Sequence, residues 1–230
     1  MNRRQLAFAA AACLAAPDIA LSAPPTLTGR LRAPQQPPAR FLIVLLHGYD
    51  SSGGEILSLT RKLQGFAPTA ALAAPNGPIG MGIGAHSWLP RGRGRGRPTP
   101  VEIAAAIDAY ADAELVRLGL TPDKLILLGF SQGAGMALNV GLRRPVAPAA
   151  IIAFSGPFLE PDPLAAGKPR VLLVQGGDDA VANPRSAQDI AERLTEAGIP
   201  VESHVLGGLG HAIDQRGIDL AGALLRRVTA

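Results

Sequence analysis

Lys124-Leu125-Ile126-Leu127-Leu128-Gly129-Phe130-Ser131-Gln132-Gly133 runs straight into the helix-like segment Ala134 to Arg144: an apolar run, a G-x-S-x-G turn and a helix pattern in succession. A serine in a sharp strand-to-helix turn needs small flanking residues, because a side chain at Gly129 or Gly133 would meet neighbouring backbone. The hydroxyl then stands exposed above a helix N-terminus, where developing negative charge is favoured. With 27 glycines in the chain, the pentapeptide alone arises easily by chance. The strand before it and the helix after it make Ser131 a candidate nucleophile.

Outward from this turn, strand and helix patterns alternate. Phe41 to Leu46 is an unbroken apolar run, as a parallel strand buried on both faces requires. Ala70 to Ala74, Leu125 to Leu128, Ala149 to Phe154, Val171 to Val174 and Val201 to Leu206 complete a set of six expected strands. Helical patterns fall between them at Glu55 to Gln64, Val101 to Leu118, Gln132 to Arg144, Ala187 to Ala197 and Gly217 to Val228. This order predicts an α/β fold: a doubly wound, mostly parallel central sheet with helices on both faces and ligand chemistry at the carboxyl ends of the strands. Ser131 falls at such an end. Thr26 to Arg40, rich in Pro and polar residues, reads as a linker or edge segment.

The 230 residues suit one domain with a large core, and 47% hydrophobic against 17% charged residues excludes disorder over most of the length. The formal charge is +4, but the basic residues are nearly all arginine in a chain rich in Ala, Gly and Pro, so charge alone identifies no partner. Residues 1–23 have a signal-peptide layout: Arg3-Arg4, then the apolar run Leu6 to Ala16, then Pro17 to Ala23. That run is too short to span a bilayer, so export to the periplasm or medium is expected, with a twin-arginine route open. The expected organisation is therefore a leader over 1–23, a Pro-rich segment over 24–40 and the catalytic-type domain over 41–230. Cys13, the only cysteine, falls in the leader, so the mature fold has no disulfide to rest on.

A serine hydroxyl is a poor nucleophile at neutral pH and needs a base, which in turn needs an acid to hold its tautomer. Of four histidines, only His204 and His211 follow the serine in the order Ser, acid, His. His204 lies inside a strand pattern. His211 follows the loop Gly207-Gly208-Leu209-Gly210 and is the expected base. The acid belongs after Val171 to Val174, where Asp178 and Asp179 stand side by side, and periodicity does not choose between them. The backbone N–H groups of Gln132 and of Tyr49, in Leu46-His47-Gly48-Tyr49-Asp50, are the expected oxyanion donors. His47 precedes the serine and reads as a residue that orients this loop. Such a triad generates its own nucleophile, so neither metal nor cofactor is expected.

Leu46-His-Gly-Tyr49-Asp-Ser-Ser-Gly, Ala74-Pro75-Asn76-Gly-Pro78, Ser87-Trp88, Gly129-Phe-Ser131-Gln-Gly-Ala-Gly-Met136-Ala, Phe154-Ser-Gly156 and Gly210-His211, in this order, resemble the bacterial phospholipase/carboxylesterase family. This is the branch of α/β-hydrolases that includes acyl-protein thioesterases, and the resemblance covers roughly residues 40 to 225. It implies a serine esterase acting on carboxylic ester or thioester bonds through an acyl-enzyme. Aligned on the family's His-Gly-x-x-Asp motif, Asp179 is the acid, while Gln175 replaces the usual histidine. The resemblance also puts Trp88 near the substrate and shows Asp50 where glycine is common. The last departure bears on turn geometry and on anionic substrates.

Arg91-Gly-Arg93-Gly-Arg95-Gly-Arg97 stands apart from that pattern. It has two readings: a solvated low-complexity loop, or a contact for an anionic substrate or surface. No aromatic residue interleaves for base stacking, so nucleic acid is not expected as a partner. The expected partner is a small-molecule or lipid-like ester. Two alternatives differ from the carboxylesterase reading: a polyester, lactone or aryl-ester hydrolase of the same fold, and a non-catalytic domain that binds an anionic polymer through the arginines.

Overall fold

The computed structural model describes residues 25–91, 98–159, 164 and 167–230. The expected leader with Cys13, and the arginines 93, 95 and 97, lie outside the described residues. In chain order the elements are β1 (Gly29–Arg32), β2 (Phe41–Leu46), α1 (Gly53–Ile56), α2 (Thr60–Phe66), β3 (Ala70–Pro75), β4 (Ile79–Gly82), β5 (Ala85–Ser87), α3 (Pro100–Leu118), β6 (Leu125–Phe130), α4 (Gln132–Gly141), β7 (Ala150–Phe154), β8 (Arg170–Gly176), α5 (Ser186–Glu196), β9 (Val201–Leu206) and α6 (Gln215–Thr229).

Seven strands form the main sheet in the order β1-β3-β2-β6-β7-β8-β9, and β4 and β5 pair separately as a hairpin. Only β1 runs antiparallel to its neighbour in that sheet. All six expected strands are present. β1 adds a seventh from the segment expected as linker or edge, and its GRLR sequence gives no apolar run to read. The expected helix over Glu55 to Gln64 is instead two short helices separated by a 3₁₀ turn over Leu57–Leu59.

Alternation along β2 explains why every residue of that strand is apolar. Leu42, Val44 and Leu46 join one core with α3, α4 and α5, while Phe41, Ile43 and Leu45 join the other with α1, α2 and α6. Successive side chains leave a strand on opposite faces, so a strand covered by helices on both sides has no polar position. The chain leaves β2 toward β3 on one side and returns as β6 on the other. A topological switch point therefore lies between β2 and β6, at whose carboxyl ends a crevice opens. The turns after those two strands carry Gly48-Tyr49 and Ser131-Gln132.

Candidate active site

Ser131 has φ 53° and ψ −121°, a conformation that non-glycine residues adopt only under local constraint. The constraint is visible on both sides. A Cβ on Gly129 would lie 2.2 Å from the Gly133 carbonyl oxygen, and one on Gly133 would lie 2.1 Å from that of Leu46. The Ser131 N–H is tied to the Phe154 carbonyl at 2.8 Å, hooking the turn onto the end of β7. The serine therefore stands between the carboxyl ends of β2 and β7, at the N-terminus of the ten-residue α4.

His211 Nε2 lies 2.9 Å from Ser131 Oγ, and His211 Nδ1 lies 2.8 Å from Asp179 Oδ2. The proton on Nδ1 donates to the carboxylate, which leaves Nε2 unprotonated to accept from the serine hydroxyl. The Phe130 ring packs on the imidazole at 4.8 Å between centroids. The His211 side chain remains 19% exposed, whereas that of Asp179 is fully covered.

Asp179 is saturated with donors. Oδ1 accepts the Val181 and Ala182 N–H groups, both at 2.8 Å, and Oδ2 accepts Gln175 Nε2 at 2.9 Å besides the histidine. Burial pushes this carboxyl up, but the Ala182 N–H, the His211 ring and the Val181 N–H outweigh it and hold it below the ordinary carboxylate range. Asp178 faces solvent instead. The glutamine that stands at the family's usual histidine position thus still touches the acid.

Gly48 brings the loop after β2 against the serine, for a Cβ there would lie 3.5 Å from Ser131 Cβ. His47 is buried beneath that loop: its Nδ1–H donates to the Gly48 carbonyl at 2.7 Å, and its Nε2 accepts the Gly77 N–H at 2.9 Å. Burial holds its pKa below the ordinary value, against the raising effect of the Gly48 bond, so the neutral ring suits both contacts. His47 orients the loop, as its place before the serine predicts. Asp50 has φ 56°, the left-handed region, which accounts for glycine being common there; Asp tolerates it better than most residues.

Trp88 corrects an expectation. Its side chain is 0% exposed, so it does not line the substrate crevice. The indole N–H donates to the His47 carbonyl at 2.8 Å, and the ring packs on the His47 imidazole at 4.9 Å. Its backbone N–H donates to Gln132 Oε1 at 2.8 Å, a use of the Gln132 side chain that no sequence pattern announced. A cavity of about 270 Å³ does adjoin the site, bordered by Gly48, Ile56, Leu59, Phe130, His211 and Ile213, with Glu55 and Ser51 also on its wall. Arg91 lies over the Tyr49 ring, 4.4 Å from its centroid. Among the described residues, no group of three or more His, Cys, Asp or Glu is arranged to hold a metal ion.

A model of the phospholipase/carboxylesterase family matches residues 99–228, more than half of the chain. The chain belongs to the phospholipase/carboxylesterase family. The esterase YpfH of Escherichia coli (strain K12) is 34% identical over 103 residues, which span 45% of this chain and 44% of YpfH. The carboxylesterase SOBER1 of Arabidopsis thaliana is 26% identical over 208 residues, 82% of this chain and 91% of its own length. Among solved structures, esterase PE8 superposes with a TM-score of 0.79 at 34% identity, covering 88% of this chain and 99% of PE8. The fold shared with these esterases is the α/β-hydrolase fold expected from the strand and helix order.

Proposed function

We propose that the protein is a serine carboxylesterase that cleaves small carboxylic esters through an acyl-enzyme. The observation that carries this reading is the unbroken hydrogen-bonded chain from Asp179 through His211 to Ser131, with Ser131 held in a strained turn at the switch point. In the proposed reaction, Ser131 Oγ attacks the ester carbonyl as His211 Nε2 takes its proton. The Tyr49 and Gln132 N–H groups hold the oxyanion, and the carboxylate of Asp179 stabilises the imidazolium. Collapse breaks the bond to the alcohol, which leaves with the proton from His211. Water then repeats the sequence on the acyl-serine and releases the acid.

The adjoining cavity supports a short substrate group. A cavity of 150 Å³ holds a benzene ring, so roughly 270 Å³ suits an acyl or aryl group of about four to eight carbons. A longer chain must extend into solvent. A p-nitrophenyl ester series of increasing acyl length, with Ser131→Ala as control, is expected to peak within that range. A fluorophosphonate probe is expected to label Ser131; a folded protein that stays unlabelled sinks the reading.

Two further elements belong to the proposal. Export is supported by the layout of residues 1–23, and N-terminal sequencing of the protein recovered from the periplasm tests it. An anionic contact through Arg91, Arg93, Arg95 and Arg97 is supported by their charge and by Arg91 lying beside the oxyanion loop. Salt-sensitive binding to anionic liposomes, lost when the four are replaced, is the expected sign.

A further inference from the structure

An oxyanion hole works only if its two donors keep a fixed separation, and here they come from different turns. Tyr49 follows β2 and Gln132 opens α4 after β6. Backbone pairing of β2 with β6 aligns the strands as far as Leu46 and Gly129, but stops short of both donor residues. Close packing of Gly48 on Ser131 and of Gly133 on Leu46 brings the two turns together, and a third segment bonds to both.

We infer that the stretch Ser87-Trp88-Leu89, at the exit of the β4–β5 hairpin, is a clasp that fixes the spacing of the oxyanion donors, with Trp88 and the side chain of Gln132 as positioning residues. The inference rests on the serine esterase reading above. Trp88 bonds to both walls. Its indole N–H donates to the His47 carbonyl, two residues before Tyr49, at 2.8 Å, and its backbone N–H donates to Gln132 Oε1, also at 2.8 Å. The same amide closes the loop from its other end, as Gln132 Nε2 donates to the Leu89 carbonyl at 2.9 Å. The Ser87 hydroxyl donates to that carbonyl at 2.6 Å, holding the exit in a tight turn.

The wall on the Tyr49 side is braced from the same segment. Ser51 and His86 exchange backbone hydrogen bonds at 3.2 and 2.7 Å, and the Gly77 N–H holds His47 Nε2. Gly77 can be nothing larger, since a Cβ there would lie 2.4 Å from the Ser87 carbonyl oxygen. The hairpin thus grips the loop after β2 at His47 and Ser51, on either side of Tyr49, while gripping Gln132 by both ends of its amide. Neither Trp88 nor the Gln132 side chain needs to touch substrate for this. Their effect is to keep two N–H vectors converging on one point, which matters for the transition state and little for ground-state binding.

The test uses the full chain and two variants, each of which leaves the backbone N–H of residue 132 in place. Gln132→Met keeps the side-chain volume and removes the amide's bonds to the Trp88 N–H, the Leu89 carbonyl and, at 3.3 Å, the Ser87 hydroxyl. Trp88→Phe keeps a buried aromatic ring, removes the indole N–H and leaves a smaller side chain against His47. Fluorophosphonate titration counts competent Ser131, so that kcat is expressed per titrated site and incompletely folded protein drops out. The expected result is a fall in kcat per site of about 10- to 100-fold in Gln132→Met, with KM within about threefold, because displacement by about 1 Å costs on this scale. A smaller fall of the same kind, about three- to tenfold, is expected for Trp88→Phe. Unchanged kcat per site in Trp88→Phe together with Gln132→Met, or losses confined to KM or to the titrated fraction, overturn the clasp while leaving the esterase reading intact. If Gln132→Met does not fold, Trp88→Phe alone decides. A wild-type protein that neither labels nor turns over overturns both.

Discussion

Two places in this molecule tie a carboxylate to a nitrogen donor on another segment, and they are built differently. Asp179, His211 and Ser131 come from three loops spread over 80 residues and meet at the carboxyl ends of the strands. Arg144, just beyond α4, pairs with Asp108 and Asp112, one turn apart on α3. The second cluster takes both carboxylates from one regular helix, with Arg144 itself 5% exposed and its two carboxylates 38% and 54% exposed. It leaves no strained backbone and no hydroxyl aimed at a crevice. The carboxyls also diverge: Asp179 is held below the ordinary range, whereas burial pushes Asp108 up despite the opposing Arg144 charge. The proposed chemistry needs convergence on a half-buried hydroxyl, whereas the Arg144 ion pairs tie the turn after α4 to α3.

The sharpest break between the two clusters is expected from removing one member of each. Ser131→Ala lowers ester turnover by at least about 10⁴-fold while changing stability little, since alanine keeps the Cβ and with it the strain of the positive φ. Arg144→Ala does the reverse. Turnover per titrated site stays within about twofold, and chemical denaturation reports a loss of about 2 kcal/mol, discounted because both partner carboxylates are partly solvated. If Arg144→Ala instead lowers kcat per site, the contrast fails.

Asp179→Asn is the next largest effect. An amide in that place disturbs the histidine tautomer, and kcat is expected to fall by about 10³- to 10⁴-fold. The same residue carries a pH dependence. Its folded-state pKa is lowered, so its contribution to stability is present above the unfolded carboxylate value and is lost as pH falls through the depressed folded value. Denaturation curves at acid pH are expected to show this loss in the wild type and a shallower slope in Asp179→Asn. Gln175→Leu removes one of four donors to that carboxylate while filling the same space, and about a three- to tenfold drop in kcat is expected.

The chain order Ser, acid, His and the strand before Ser131 made the serine and His211 legible from sequence, because their constraints are local: a turn that excludes side chains, and a loop just past a strand end. Asp179 was not separable from Asp178 on those grounds, and only resemblance to the family favoured it. The choice depends on the N–H groups of Val181 and Ala182 folding back over one carboxylate, a turn that adjacent acids do not encode in any period. Trp88 was misread for a related reason. The resemblance to the family put it near the substrate, but only the fold shows that the indole turns inward to His47. The β4–β5 hairpin, short and rich in glycine, offers no alternating pattern, so the contact that joins it to Gln132 was invisible.

The smallest expected effect lies on the helix of the non-catalytic cluster. Tyr110 is largely covered on α3, and its hydroxyl has no hydrogen-bond partner among the described residues. Burial pushes its pKa up to about 12, with Glu114 adding to the rise. The neutral phenol is therefore favoured in the folded state, and the associated stability is full below the unfolded value near about 10 and fades as pH rises toward the folded value. Removing an unsatisfied buried hydroxyl costs little, since no bond is lost with it, so Tyr110→Phe is expected to change stability by less than about 1 kcal/mol, toward stabilisation. The variant should also flatten the alkaline decline in stability that the wild type shows. A loss larger than that would mean the hydroxyl is bonded in solution, and the face of α3 next to β1 would then be held by a polar contact as well as by packing. In either case kcat per titrated site should not move, because among the described residues the Tyr110 hydroxyl has no bond that could link it to the loops carrying Ser131, Asp179 and His211.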